Sequence, residues 1–516
     1  TNSEGFTIHY GYEEEKLTSV DTDFGTGYRF RYEEERLIEV SDLAGRSIKF
    51  NYEEDKLLSI IDECGEEYKY EYDDFGRMQR VINARGTVNL VNTYDSLGRV
   101  LKQDFPDEGE TRFEYIEDKK TIKVVAQDGT VSEYEHDEKY RSTEERYRKG
   151  LEKIAYDESN NKVSETDRNG NETKHEYDER GNRTATVTAL GDRYEYEYDD
   201  ENRCTKVSLN GDTLRAFEYN ERGRLTSETD ALGRTVRTEY DEKNLIKTVI
   251  LADGAVVSYE SDAQGNISKL IDENGNEWRY SYDKLNRVTE AVDGNGNTES
   301  FEYNDRSEIT KMTNAAGDSR VYEYNPSGKL THSIDFDGNE EFAEYNELNK
   351  ISKYTDKDCF VTSFEYDKMW NLAKTIDAQG GVNLYTYDGD GRVISVTDAN
   401  FNTIEYSRDA NGNVIREADE DGNYTKFEYD ALNRVKTITY KDGTEEHIEY
   451  DALGNETKFI DDAGNEWNSE YNLAGELTKR INPEGLETVY TYDLRARLIS
   501  EETEGLIMRY EYDSAG

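Results

Sequence analysis

The sequence is poor in proline, cysteine and apolar residues: 516 residues contain 3 Pro and 3 Cys, and 34% of them are hydrophobic. Cys64, Cys204 and Cys359 are widely separated and form no CxxC pair, which excludes a disulfide framework and a zinc site. No segment approaches the 18 consecutive apolar residues or so that a membrane-spanning helix needs, so we expect no membrane span.

Positive charge is also scarce, since 64 Lys and Arg face 115 Asp and Glu and leave a net charge of −51. Phosphate backbones would be repelled by this surface, so we expect no nucleic-acid partner. Such a charge is typical of disordered chains, but an aromatic content of 12%, with 41 Tyr, argues for a folded protein.

The chain is built from one repeat of 20 to 22 residues, read about twenty-five times. Its most regular feature is a tyrosine in the pattern Tyr-Asp-x-x-Gly-Arg, which we call the signature tyrosine. The interval from Tyr156 to Tyr492, 336 residues, equals sixteen steps of 21. Three units lack the tyrosine and carry His136, Ser261 or Arg408 instead. We predict a structural role for the signature tyrosines, among them Tyr72, Tyr94, Tyr156, Tyr177, Tyr198, Tyr240, Tyr282, Tyr366, Tyr387, Tyr429, Tyr450 and Tyr492.

Each unit contains two turn signals separated by segments of strand length. In the unit that starts at Tyr282, the signals are Asp283 to Asn286 and Asp293 to Gly296. Asp opens such turns, and Gly or Asn closes them because both tolerate a left-handed backbone. Between the turns, apolar residues alternate with polar ones, which is typical of strands with one half-buried face.

These patterns predict an all-β protein in which residues 1–516 form a single repeat array. About 50 short strands would form an up-and-down antiparallel sheet roughly 240 Å long. A sheet of that length does not stay flat, so we expect it to coil into a spiral, hollow shell.

Units such as Tyr72-Asp-Asp-Phe-Gly-Arg, Tyr94-Asp-Ser-Leu-Gly-Arg and Tyr387-Asp-Gly-Asp-Gly-Arg resemble the YD repeat of the RHS/YD-repeat family. Members of this family include bacterial polymorphic toxins, wall-associated proteins, the encapsulating components of Tc toxins, and teneurins. The resemblance covers the whole chain and implies a spiral β-shell that, in the toxin members, holds a C-terminal toxic domain. The sequence has no recognisable core segment that closes such a shell and no toxin domain, so we expect it to be a piece of a longer chain.

The resemblance implies a non-enzymatic scaffold, secreted or displayed on the cell surface of a bacterium, that encloses or carries another polypeptide. The alternative is an extracellular structural or adhesion element in which the array is a spacer or a recognition surface for a cell-surface receptor or glycan. The segment that comes after residue 516 in the longer chain would distinguish the two.

We predict no catalytic residues, no cofactor and no metal site. An enzyme such as a glycosidase would need a repeat position at which one unit carries an exceptional residue, with other exceptional residues beside it. The Asp residues that recur in the turns are instead expected to form the turns. Asp293, Asp335 and Asp419 begin oxygen-rich turns that could hold calcium, but none continues into an EF-hand. We interpret His136 as a substituted residue of the tyrosine ladder.

Overall fold

A computed structural model describes residues 7–105 and 109–513, and almost all of them lie in β-strands and tight turns. These residues form 49 strands of four to eight residues and one three-residue 3₁₀ turn, Glu117–Lys119. The prediction of an all-β repeat array is confirmed. No helix in the described part of the chain has the length and apolar character needed to span a bilayer.

The strands are short and evenly spaced, as the 21-residue repeat requires. Their bounds are β1 Ile8–Glu13, β2 Lys16–Thr22, β3 Gly27–Glu33, β4 Arg36–Asp42, β5 Ser47–Glu53, β6 Lys56–Ile61, β7 Glu67–Tyr72, β8 Met78–Ile82, β9 Val88–Tyr94, β10 Val100–Asp104, β11 Glu110–Ile116, β12 Thr121–Val125, β13 Val131–His136, β14 Ser142–Arg146, β15 Leu151–Tyr156, β16 Lys162–Thr166, β17 Glu172–Tyr177, β18 Arg183–Val187, β19 Arg193–Tyr198, β20 Cys204–Leu209, β21 Asp212–Tyr219, β22 Leu225–Asp230, β23 Thr235–Tyr240, β24 Ile246–Ile250, β25 Val256–Ser261, β26 Ile267–Ile271, β27 Glu277–Tyr282, β28 Val288–Val292, β29 Thr298–Tyr303, β30 Ile309–Thr313, β31 Ser319–Tyr324, β32 Leu330–Ile334, β33 Glu340–Tyr345, β34 Ile351–Thr355, β35 Val361–Tyr366, β36 Leu372–Ile376, β37 Val382–Tyr387, β38 Val393–Thr397, β39 Thr403–Arg408, β40 Val414–Asp419, β41 Tyr424–Tyr429, β42 Val435–Tyr440, β43 Glu445–Tyr450, β44 Glu456–Ile460, β45 Glu466–Tyr471, β46 Leu477–Ile481, β47 Glu487–Tyr492, β48 Leu498–Thr503 and β49 Leu506–Arg509.

Every strand pairs antiparallel with the strand that comes next in the chain, so the sheet is a continuous meander from β1 to β49. The end strands β1 and β49 each have one partner, so the sheet does not close on itself. Two kinds of turn alternate along it. Signature turns follow the odd-numbered strands, whose last residues include the signature tyrosines, and companion turns follow the even-numbered strands.

The two faces of the sheet differ in chemistry because side chains alternate along each strand. In β35, Phe364 and Tyr366 point to one face and are half-buried, whereas Glu365 points to the other and is exposed. Phe364 is paired with Thr375 of β36, which therefore shares its face. We call the face of Phe364 and Tyr366 the aromatic face and the opposite one the polar face.

The sheet is a single layer. Among the described residues, strands pack substantially only on their neighbours in the sheet, and the buried apolar residues are Ala185, Leu209 and Ala418. The accessible surface is 29,980 Å², whereas a compact monomer of this mass, 59.6 kDa, would expose about 19,000 Å². The low apolar content is thus matched by a wall with no filled core.

A β-bulge recurs where an odd-numbered strand meets its signature turn. The pairing register shifts between Glu71 and Tyr72 in β7, and between Glu365 and Tyr366 in β35. Because a bulge bends its strand and increases the local twist, regular repetition of this one curls the sheet in a constant sense.

The curled sheet forms a spiral of about two coils, which touch along a seam. Companion turns of the first coil meet signature turns of the second: Arg46, after β4, donates to the backbone oxygen of Asp305, after β29, at 2.8 Å. Arg168, after β16, bonds Asp390, after β37. One coil therefore takes between 21 and 25 strands. At about 4.8 Å per strand, its circumference is about 110 Å and its width about 35 Å between backbones.

Ion pairs hold the seam where the turns of the two coils meet. Arg306 of the second coil lies 2.6 Å from Asp62 of the first. Arg234 lies 2.5 Å from Glu476, and the side chains of that pair keep only 12% and 11% of their surface exposed. Asp230 also contacts Arg234, 2.5 Å away. The seam is thus polar but largely inaccessible to water. Each of these charged groups is neutralised by an oppositely charged neighbour in the seam.

Removing one member of this pair is expected to weaken the seam. Arg234→Gln leaves the largely buried Glu476 without its cation, and we expect a loss of about 1–3 kcal/mol in unfolding free energy, below the cost for a fully buried pair. Chemical denaturation measures the loss. The control is Arg29→Gln, which breaks an exposed pair with Asp21 and should cost at most about 1 kcal/mol. Equal losses in the two variants would contradict a seam that depends on Arg234.

Candidate functional site

The signature turn is built by its first and last residues. In the turn after β7, Asp73 accepts the backbone N–H groups of Phe75 and Arg77 at 3.0 and 2.9 Å. The Arg77 side chain donates its Nε–H to the second carboxylate oxygen of Asp73 at 2.8 Å. Gly76 lies at φ +78°, a left-handed conformation that glycine adopts without strain. Asp, Gly and Arg of the motif therefore close one turn.

The signature tyrosine joins its unit to the preceding one. The Tyr366 hydroxyl donates to the backbone oxygen of Ile351 at 2.8 Å, and Tyr387 bonds Leu372 in the same way at 2.7 Å. The acceptor is the first residue of the even-numbered strand one unit back, except for Tyr72, whose acceptor Leu57 is the second residue of β6. Of the twelve tyrosines named from the sequence, those that make this bond are Tyr72, Tyr94, Tyr177, Tyr198, Tyr240, Tyr282, Tyr366, Tyr387, Tyr429, Tyr450 and Tyr492.

The signature arginine reaches forward to the next unit. The Arg287 guanidinium lies 4.6 Å from the ring centroid of Tyr303 and donates to the backbone oxygen of Asn304 at 2.9 Å. The twelfth tyrosine, Tyr156, is held in this way, because the Arg141 guanidinium lies 4.5 Å from its ring centroid. Where the slot holds arginine, adjacent units are thus linked in both directions, by a hydroxyl to the preceding unit and a stacked guanidinium to the next.

The electrostatics of these groups follow from the same contacts. Burial raises the pKa of the Tyr282 and Tyr366 hydroxyls. The hydrogen bond from Arg77 lowers the pKa of Asp73, and the Arg141 guanidinium lowers that of Asp137 to about 2. Each shift favours the species that the bonding pattern uses, a protonated tyrosine and an ionised aspartate.

Of the three units that lack the signature tyrosine, one replaces its bond and a second lies in the seam. Arg408 donates through Nε and Nη2 to the backbone oxygen of Val393 at 3.1 and 3.0 Å, which is the bond a tyrosine hydroxyl would make. Ser261 lies in a unit of the seam, where the Phe24 ring of the first coil packs against Gly265 in the following turn.

The third unit behaves differently. His136 makes no ladder bond: its Nδ1 lies 2.9 Å from the backbone oxygen of Asp137, and its ring lies 5.0 Å from that of Tyr140. The interpretation of His136 as a ladder residue is therefore wrong in its contacts. The residues around it line a cavity of about 590 Å³, among them Tyr115, Ile122, Tyr134, His136, Tyr140 and Glu145.

The carboxylates of the turns are occupied by their own backbone. Asp293 accepts the N–H groups of Asn295 and Asn297 at 2.9 and 2.8 Å through one oxygen, and the Asn297 side-chain amide at 2.8 Å through the other. Within residues 7–105 and 109–513, no three His, Cys, Asp or Glu side chains converge as a metal-ligand set. The oxygen-rich turns that suggested calcium are thus built as Asx turns.

Comparison with known families finds one that accounts for most of the chain. The family model described as "Teneurin YD-shell" matches residues 1–93, 148–287, 272–441 and 335–516. No curated protein sequence matches the chain.

Solved structures with the same architecture include a crystal structure of TcdB2-TccC3 without its hypervariable C-terminal region. That match has 11% sequence identity and a TM-score of 0.76, and it covers 97% of this chain and 36% of the other. A crystal structure of TcdB2-TccC3-TEV matches with 11% identity and a TM-score of 0.67, covering 96% of this chain and 36% of the other. The chain thus shares the fold of these shells and spans about a third of their length.

Loss of one ladder hydroxyl should be measurable. Tyr366→Phe removes the bond to Ile351 and leaves that carbonyl without its donor, so we expect about 1 kcal/mol less unfolding free energy in denaturant titrations. Tyr385→Phe removes a hydroxyl from the aromatic face outside the ladder and should change stability by less than about 0.5 kcal/mol. If the two variants were equally stable, the hydroxyl would not link the units.

The turn aspartates predict acid sensitivity. Hydrogen bonds from Arg141, Arg77 and Asn297 lower the pKa values of Asp137, Asp73 and Asp293 below the unfolded value of about 3.9. Their stabilisation is complete above that value and is lost as the pH falls through the folded-state values, about 2 for Asp137. Thermal unfolding should therefore show a Tm that falls steeply below about pH 4. A constant Tm down to about pH 2 would contradict this assignment.

Proposed function

This chain belongs to the teneurin YD-shell family, and from that premise we propose that it forms part of a non-enzymatic wall that encloses another polypeptide. The observation that supports the proposal is the single-layered spiral, since the described strands have no second layer on either face. The space inside such a wall is therefore free to hold a different segment of polypeptide.

In this proposal the signature tyrosines are structural residues, and the array is one structural unit within a longer shell. The Tyr–carbonyl bonds and Arg–Tyr stacks support this role, because they engage the polar groups of the motif in contacts within the wall. The wall acts physically: it separates its cargo from solvent and proteases. Such separation would be useful in a secreted or surface-displayed protein. A toxin domain is one cargo that the architecture could carry.

The aromatic face is proposed to line the lumen. Its side chains are half-buried, as expected on the crowded concave side of a curved sheet, whereas Glu365 and its equivalents on the polar face are exposed. Tyrosine suits such a lining, because its ring offers apolar contact to a cargo while the side chain also carries a polar group. The 115 acidic residues of the chain keep the outer surface soluble.

Cysteine labelling of the two faces tests enclosure. The native cysteines, all of them thiols, are replaced by serine, and single cysteines are introduced as Glu365→Cys on the polar face or Thr375→Cys on the aromatic face. Each variant reacts with N-ethylmaleimide and with maleimide on a polyethylene glycol too wide for the lumen. The ratio of the two rates corrects for the intrinsic reactivity of each position.

Enclosure predicts that this ratio falls at least about tenfold for Thr375→Cys relative to Glu365→Cys, because the bulky reagent cannot enter a space about 35 Å wide between backbones. The reverse difference would contradict an aromatic lumen. Equal ratios would contradict enclosure itself and favour a spacer or an adhesion surface.

A further inference from the structure

The cavity beside His136 lies in the most irregular unit of the array. Tyr140 occupies a turn position that holds Gly or Asn in most other units, at φ +60° and with 83% of its surface exposed. In the preceding unit the 3₁₀ turn Glu117–Lys119 replaces the signature turn, and β11 pairs with β12 without the usual bulge.

Two small side chains open the cavity. His136 stands where most units have tyrosine, and Ser142 stands where the following strand begins with a larger residue such as Leu372 or Val393. The shorter His136 ring does not reach the backbone oxygen of Thr121, the acceptor that a ladder tyrosine would use. The 590 Å³ space is large enough for an organic ligand or an amino-acid side chain.

Units that carry arginine in the signature slot show one way in which this space is filled. In the unit of Tyr303, the guanidinium of Arg287 lies over the tyrosine ring and donates to the carbonyl after it. At the cavity both partners are absent, because Lys120 stands in the arginine slot and His136 in the tyrosine slot. Lys120 pairs with Glu138. The unit of His136 therefore has no guanidinium–aromatic stack of its own, although the Arg99 guanidinium lies 4.2 Å from the ring centroid of Tyr115 on the wall of the cavity.

The walls of the cavity suit a guanidinium from outside. Tyr134, Tyr140 and His136 offer aromatic rings, and five carboxylates line the space against two cations, Arg99 and Lys120. Three of the other carboxylates have cations of their own: Glu117 pairs with Arg99, Asp137 with Arg141 and Glu138 with Lys120. Glu135 has no ion-pair partner among the described residues, but it is exposed and alternates with Tyr134 and His136 along β13, so it points to the opposite face. Glu145 accepts the hydroxyls of Ser142 and Tyr147 at 2.9 and 2.7 Å. The part of the chain that the structure describes supplies no ion-pair partner to Glu145.

We propose that this cavity binds an arginine side chain of another polypeptide, which stacks among the rings of Tyr134, His136 and Tyr140 and pairs with Glu145. Arginine is favoured over lysine because its planar guanidinium stacks on rings and bonds carboxylates with two N–H groups. The cavity lies at a signature-turn edge of the first coil, on the side away from the seam. This inference does not depend on the enclosure proposed above.

Calorimetric titration with a blocked Gly-Arg-Gly peptide tests the site, with the citrulline peptide as its neutral isostere. We expect the arginine peptide to bind at least about tenfold more tightly, a difference of about 1.4 kcal/mol. The decisive variant is His136→Tyr with Ser142→Val, which restores the residues common in other units and fills the cavity. It leaves the net charge unchanged, so attraction to the acidic surface as a whole persists while site binding is lost.

A matched pair of variants separates the site from general electrostatics. Glu145→Gln removes the carboxylate in the cavity, and Glu165→Gln removes one from the same position of the next unit, outside the cavity. We expect at least a fivefold loss of affinity in the first and less than a twofold loss in the second. Circular dichroism and thermal unfolding verify that each variant is folded.

The proposal is overturned if the citrulline peptide binds as tightly as the arginine peptide, if the refilled variant retains full affinity, or if the two glutamate variants lose affinity equally. Binding of neutral oligosaccharides in place of the arginine peptide would also overturn it and assign the cavity to glycans. Because the readout is peptide affinity, failure here leaves the labelling test of enclosure unaffected.

Discussion

A single-layered sheet has no opposing layer to pack against, so each unit must be stabilised by the units beside it. The bond from a signature tyrosine hydroxyl to a carbonyl one unit back meets this requirement. The arginine stacked on the next tyrosine adds a link in the opposite direction. Because each contact is between nearest neighbours, stability in such an array is a sum of local terms. Few apolar residues are then needed, which agrees with the composition.

The same motif produces the curvature. The bulge before the signature tyrosine and the left-handed residue in the turn recur at nearly every unit, so the bend accumulates in one sense. After 21 to 25 strands the sheet meets itself, and companion turns of one coil contact signature turns of the next. The seam relies on charged pairs such as Arg234 and Glu476. The spiral is thus a consequence of repeated local geometry and requires no closed ring.

Where the repeat is broken, the structure shows three different outcomes. Arg408 reproduces the missing bond with its guanidinium, and the unit of Ser261 lies in the seam beside Phe24. The unit of His136 lies away from the seam and retains a cavity. A regular array provides its own reference at every position, and a departure that leaves space and an uncompensated carboxylate is therefore informative about binding.

The sequence alone determined the all-β class, the strand spacing and the family resemblance, because local turn chemistry and alternation recur with a fixed period. It also identified the signature tyrosine as the most regular feature of the repeat. The number of strands per coil was beyond it, since small bends at each bulge add up over some 240 residues and no local pattern encodes their sum. The different surroundings of His136, Ser261 and Arg408 could not be predicted from the sequence either. Each residue fills the same slot. Only the tertiary structure shows that Arg408 makes the missing bond, that the turn after Ser261 lies against Phe24 of the other coil, and that a cavity remains beside His136.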